Sequence, residues 1–409
     1  MENKKIRVAI THGDTNGIGY ELIFKTFAAP EILELCTPII YGSPKIAAYH
    51  RKALDIEGNF SIISEAGEAR EGRVNLLTCF DDEVKVDLGM PTKESADAAI
   101  RALDRAVSDY RQGLYDVLVT APANEQGLES GGVKFRDQES FIEACLSDNK
   151  KGLPMLVNES LRVALATSGI ALKDVPGAIT ADLLENRITL LHDTLRRDYR
   201  ISSPRIAVLS LNPESGEPGS FGKEEKEIIE PTISKLADQG LSVFGPYAAD
   251  ELFSGNVFDA FDCILAMYHD QGFAPFKALE PTNGVISLAG LPIVCTAPES
   301  TANFSIAGRG TADENAFRQA IYLAIDICRH REEYDEPLEQ PLKKLYHERH
   351  DDGEKVRFSI PKKHENAIRE RAPRNGNSKP NAPKDNAQKP QPAGQTPQDN
   401  CKNEPSTTE

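Results

Sequence analysis

Cys263-Ile264-Leu265-Ala266-Met267-Tyr268-His269-Asp270-Gln271-Gly272 reads as a buried strand that runs into polar residues and breaks at a glycine. The apolar run Cys263-Ile264-Leu265 suits a strand covered on both faces. An imidazole and a carboxylate then stand at its C-terminal end, where open α/β sheets bind ligands. Four more runs have the same character: Ile6–Ile10, Val117–Val119, Arg162–Thr167 and Ile206–Leu211. Amphipathic segments lie between them. Ala96–Tyr110 carries Ile100, Leu103 and Val107 on one face ahead of Gly113. Ile229, Ile233, Leu236 and Ala237 make another such face ahead of Gly240, a C-cap glycine, and Pro231 should separate or kink its first turn. This alternation predicts an α/β fold, mainly parallel sheet with helices on both faces.

Composition narrows the function. The chain has 409 residues, 40% of them hydrophobic and 27% charged, enough for a large core. A net charge of −16 argues against a general binder of nucleic acid or of an anionic membrane, since both need a positive field. The seven cysteines are odd in number, form no CxxC pair and mostly sit in apolar runs. Reduced, buried thiols in a cytoplasmic protein are expected, with no disulfide framework or zinc cluster. No apolar run is long enough for a signal peptide or a bilayer span. After Ile368 there is no Val, Leu, Ile, Met, Phe or Tyr, so 369–409 is expected to be disordered. The expected organisation is a two-subdomain unit over 1–335, with roughly 136–280 as the second subdomain, and a polar extension over 336–368.

Several of the strands end in polar or glycine-rich turns, which together suggest a pocket. They are Thr11–Gly19, Thr167-Ser168-Gly169, Asn212-Pro213-Glu214-Ser215-Gly216-Glu217 and Tyr268-His269-Asp270-Gln271. The glycines of the first suit an anion beside a helix N-terminus or simply a tight strand-to-helix turn, and their spacing is not that of the dinucleotide fingerprint. A fifth stretch, Ala307-Gly308-Arg309-Gly310-Thr311-Ala312-Asp313, reads as a loop leading into a helix N-cap.

Taken together, these segments resemble the 4-hydroxythreonine-4-phosphate dehydrogenase family of vitamin B6 synthesis. The likeness runs from about Ile6 to about Arg329. It is carried by GDTNGIGYE from Gly13, VLVTAPAN from Val117, LRVALATS from Leu161, RIAVLSLNPESGE from Arg205, GPYAADELF from Gly245, ILAMYHDQGFAPFKAL from Ile264 and IAGRGTADENAFRQAI from Ile306. The resemblance implies two α/β subdomains of isopropylmalate-dehydrogenase-like fold, an active site in the interdomain cleft, and a homodimer. It implies an NAD-dependent oxidation of a small phosphorylated hydroxy-amino acid, followed by loss of carbon dioxide. A divalent metal (zinc, magnesium or cobalt), bound by three histidines, is implied as well.

At the site positions the chain departs from that pattern. Of the three metal histidines, His269 matches one; Glu214 and Gly169 stand where the other two are expected. Glu214 and the neighbouring Asp270 suit a hard cation, but Gly169 offers no side chain, and a zinc site needs three protein ligands. The substrate positions fall on Gln138, Glu139, Lys277, Ile286 and Cys295, where Glu139 would repel a phosphate. The cofactor loop falls on Ser300, Thr301, Ala302 and Asn303. Two readings follow. In the first, the protein is a dehydrogenase of the family's substrate or a changed one, with Lys277, His269 and Asp270 catalytic and His269 and Glu214 on the metal. In the second, it is a catalytically silent relative kept for binding or interaction. His12 is a further candidate to complete the site.

Overall fold

The computed structural model describes residues 5–339 apart from 57, 81–83, 125–127, 131–132, 148–150, 217–220, 256 and 280–281. One compact unit spans Met1–Leu342; the other, Lys343–Glu409, lies outside the described residues, as do the tail expected over 369–409 and nearly all of the 336–368 extension.

Among the described residues twelve strands form one sheet, and two more make a small ribbon. In chain order they are β1 (Ile6–Thr11), β2 (Cys36–Gly42), β3 (Ser61–Ile63), β4 (Asn75–Thr78), β5 (Val117–Thr120), the ribbon strands β6 (Glu129–Ser130) and β7 (Val133–Lys134), β8 (Leu153–Val157), β9 (Arg162–Leu165), β10 (Arg205–Leu209), β11 (Ser242–Tyr247), β12 (Cys263–Ala266), β13 (Val285–Ala289) and β14 (Val294–Pro298). The sheet order is β11-β10-β12-β9-β8-β13-β14-β5-β1-β2-β4-β3. Pairing is parallel except in the middle, where β13 runs antiparallel to β8 and β14, and β8 to β9. All five runs expected as strands are strands.

Alternation along each strand shows why the runs read as continuously apolar. On β10, Ile206 and Val208 face one core cluster while Ala207 and Leu209 face another. On β12, Cys263 and Leu265 divide from Ile264 and Ala266 in the same way. Both faces are covered, so a polar residue on either would be buried without a partner.

The helix expected over Ala96–Tyr110 spans Lys93–Arg111. It begins at a reciprocal cap: the Thr92 hydroxyl accepts from Ser95 N at 3.1 Å, and the Ser95 hydroxyl accepts from Thr92 N at 3.3 Å. Thr92→Ala should therefore lower stability by about 1 kcal/mol, read as a shift in urea midpoint. Pro231 sits in the first turn of the helix Glu230–Asp238, just after a wider π-type turn over Glu225–Ile229, so the kink falls where the proline placed it. The helix Asn315–Glu339 closes the fold, with Asp313 accepting from Asn315 N at its start. On this helix Arg331 makes two hydrogen bonds of 2.8 Å to the Asp198 carboxylate and reaches the carbonyls of Leu291 and Pro292. Among the described residues no helix is long and apolar enough to cross a membrane.

Candidate functional site

The sheet brings the three strand ends carrying Gly169, His269 and Glu214 side by side, in the order β9-β12-β10. Pairing continues past β9: Ala166 N donates to Ala266 O at 2.8 Å, and the Thr167 hydroxyl to Met267 O at 2.6 Å. Gln271 then stitches β12 to β10. Its side-chain oxygen accepts from Met267 N at 2.8 Å, and its amide nitrogen donates to Ser210 O at 2.6 Å. The loop after β10 is shaped by Glu225, a buried carboxylate that accepts from the backbone nitrogens of Leu211 and Asn212, each at 2.8 Å. Glu214 and Ser215 follow with φ of 52° each, a left-handed pair that non-glycine residues rarely adopt. Glu214 is exposed.

His269 opens the helix His269–Leu279. Its Nδ1 is 2.8 Å from Asp270 Oδ1, its ring packs 4.6 Å from that of Phe273, and it stays 61% exposed. Gly169 adopts φ +66°, and any side chain built on it would run into the guanidinium of Arg136. Among the described residues no group of three or more His, Cys, Asp or Glu side chains could hold a metal ion. The residues present therefore do not fit the expected three-ligand metal.

His12 does not complete the set. It is wholly buried and stacked 5.3 Å from Tyr20, and burial pushes its pKa down to about 4. The Thr11–Gly19 turn is not an anion cradle either. All of it is buried, and side chains at Gly13, Gly17 or Gly19 would collide with the backbones of Pro122, Ala302 and His12. It props up a neighbouring loop instead, with Ile18 N donating to Ala302 O at 3.1 Å.

That loop forms one wall of a cavity of 310 Å³, which is not where the polar strand ends alone suggested a pocket. Its walls bring together Gln138, Glu139, Ile286, Ser300, Thr301, Ala302 and Asn303, the positions expected for substrate and for cofactor. His269, Asp270, Glu214 and Lys277 are not among its lining residues. Cys295 lies fully buried, its thiol pKa pushed up by burial and then by the Glu139 charge. Gln138 starts the helix Gln138–Leu146 behind the N-cap Asp137. Its amide nitrogen donates to Ala121 O at 3.0 Å, which assigns the other atom as oxygen. That oxygen and the hydroxyl of Thr120, another wall residue, are buried without hydrogen-bond partners. Buried polar groups rarely stay unpaired, so this wall of the cavity carries two polar atoms still short of a partner. Lys277 reaches the same loop from outside, its Nζ 2.5 Å from Glu299 Oε1.

Thr120, Glu225 and Arg136 were not singled out from the sequence; Gln271 was named only as part of a strand-end turn. The only local signal was for Arg136, a long cation one residue before an N-cap.

A family described as pyridoxal phosphate biosynthetic protein PdxA matches residues 34–324. The chain is 48% identical over 358 residues to a 4-hydroxythreonine-4-phosphate dehydrogenase of Bacteroides thetaiotaomicron, covering 88% of this chain and 98% of the relative. It is 33% identical to a putative D-threonate 4-phosphate dehydrogenase of Oceanobacillus iheyensis, covering 80% and 99%. Among solved structures, a 4-hydroxythreonine-4-phosphate dehydrogenase from Klebsiella pneumoniae superposes with a TM-score of 0.68 at 28% identity, covering 80% and 99%. A counterpart from Burkholderia phymatum gives 0.64 at 32%, again covering 80% and 99%.

Proposed function

The chain belongs to the PdxA family, and from that premise we propose that it is an NAD-dependent dehydrogenase of a small 4-phosphorylated hydroxy acid or hydroxy-amino acid. The observation that carries this is the 310 Å³ cavity, which gathers positions 138–139 and 300–303 around two buried, unpartnered polar atoms. Ser300, Thr301, Ala302 and Asn303 would hold NAD there, whose chemistry when bound is to accept the hydride leaving the substrate carbon. Lys277 would take the proton of the hydroxyl being oxidised. Glu299, paired with Lys277, positions it against the cofactor loop. Gln138 and Thr120 would orient the substrate or the cofactor amide. The 3-keto acid formed would then lose carbon dioxide. No step is routed through a metal, because the strand-end residues do not form a metal site. His269 and Asp270 would act as a polar pair at the cleft mouth, where residues 136–280 would form the second subdomain. The protein would act as a cytoplasmic homodimer.

The test is absorbance at 340 nm with NAD and either 4-phosphohydroxy-L-threonine or D-threonate 4-phosphate. Formation of NADH with one of them is expected. No NADH from either, with NAD still bound, would sink the dehydrogenase reading and leave the silent, binding relative.

A further inference from the structure

Gly169, His269 and Glu214 stand at three neighbouring strand ends, and the space over Gly169 is filled by the guanidinium of Arg136. We infer that this guanidinium takes the place of the metal cation and receives an oxyanion, either a substrate carboxylate or the oxygen undergoing oxidation. The inference rests on the dehydrogenase reading only for the role of that oxyanion.

Three observations support it. First, the position disfavours a ligand side chain, since Gly169 holds φ +66°, which L side chains rarely adopt, and the Arg136 guanidinium lies where its Cβ would stand. Second, the occupant is a permanent cation. Arginine does not deprotonate in proteins, so a divalent ion brought to Gly169 would meet a guanidinium whose charge Asp137 offsets only in part. Third, the guanidinium, half-exposed, has a carboxylate partner on one side. Its Nε lies 2.5 Å from Asp137 Oδ2, and Asp137 is itself held by capping the helix Gln138–Leu146, its Oδ1 accepting from Ser140 N at 2.7 Å. One edge of the fork is thus spent on Asp137, while Nη1 faces Gly169 and the strand ends. A planar guanidinium held along one edge and open along another matches a carboxylate better than a spherical ion would.

Zinc chloride titrated by calorimetry into chelator-treated full-length protein, with elemental analysis of the same samples, tests the replacement. Wild type should take up no stoichiometric zinc. Gly169→His with Glu214→His should still bind poorly, because the guanidinium remains. Adding Arg136→Ala to that pair should yield one zinc per chain, bound at least about tenfold more tightly than by the pair. Stoichiometric zinc on wild type, or equal affinity of the double and triple variants, overturns the inference.

Arg136→Gln guards against a misfolded triple variant, since it keeps much of the side chain and removes only the charge. Malonate, as a carboxylate probe, should bind wild type about tenfold more tightly than Arg136→Gln. Equal binding, or none to wild type, removes the oxyanion role. None of these readouts uses turnover, so an absence of NADH formation would count against the proposed function alone.

Discussion

Lys277→Met is expected to lower kcat for NAD reduction by about 10²- to 10⁴-fold, the range for loss of a positioned acid–base group. Stability should barely move. The Lys277–Glu299 pair is partly exposed, at 49% and 21%, and such pairs are worth about 0–1 kcal/mol. The helix His269–Leu279 is held by buried Phe273 and Phe276, so its register does not depend on the lysine. Glu299→Gln supplies the contrast. It keeps the amine but loosens its tie to the loop before Ser300, so KM should rise more than kcat falls. The measurement is steady-state NADH formation for both variants beside urea unfolding curves. If Lys277 is only a surface ion-pair partner, the two variants will show the same small change in both constants.

Acid should unfold this protein through its buried imidazoles. His12 and His50 are almost inaccessible, and burial is the leading reason that each has its pKa lowered from 6.5 to about 4. The His50 Nε2 lies 2.7 Å from Thr15 O, which only partly offsets the cost of charging the ring. The folded state therefore resists protons that the unfolded chain accepts. Stability is complete above about pH 6.5, falls between 6.5 and about 4, and levels off below that. The slope is about 1.4 kcal/mol per pH unit for each histidine where only the unfolded form is protonated. Asp14, close by in the same buried turn, acts with the opposite sign. Desolvation raises its pKa above 3.8, so the folded state binds that proton first and recovers some stability just above pH 3.8. Urea midpoints measured from pH 7 to 4.5 should fall, and His50→Gln should lower the slope by about one proton. A flat profile would mean that both rings are charged or solvated in the fold.

Much of the architecture is legible in local pattern. Runs such as Ile206–Leu211 and Cys263–Met267 are apolar at every position because both faces of the sheet are covered, and this is visible without knowing what covers them. The helix Lys93–Arg111 and the kink at Pro231 were legible for similarly local reasons, a 3.6-residue stripe and a missing amide hydrogen. The antiparallel pairing of β13 was not legible, since strand direction depends on where the chain returns and Val285–Ala289 reads the same either way. The Thr11–Gly19 turn stayed open between two readings for a related reason. Glycines that admit a ligand and glycines that admit the backbones of Pro122 and Ala302 look identical in one dimension.

The sequence by itself determined the α/β class, the edge of the sheet where polar residues gather, and the loss of a side chain at Gly169. Only the tertiary structure decided that Arg136 fills the space above that glycine, that His12 is sealed against Tyr20, and that Thr120 and Gln138, both walls of the cavity, each bury an unpaired oxygen. Class and strand content follow from short-range periodicity, which each segment carries within itself. Which cation meets which glycine depends on the packing of elements distant in the chain, and that is set by the whole core at once.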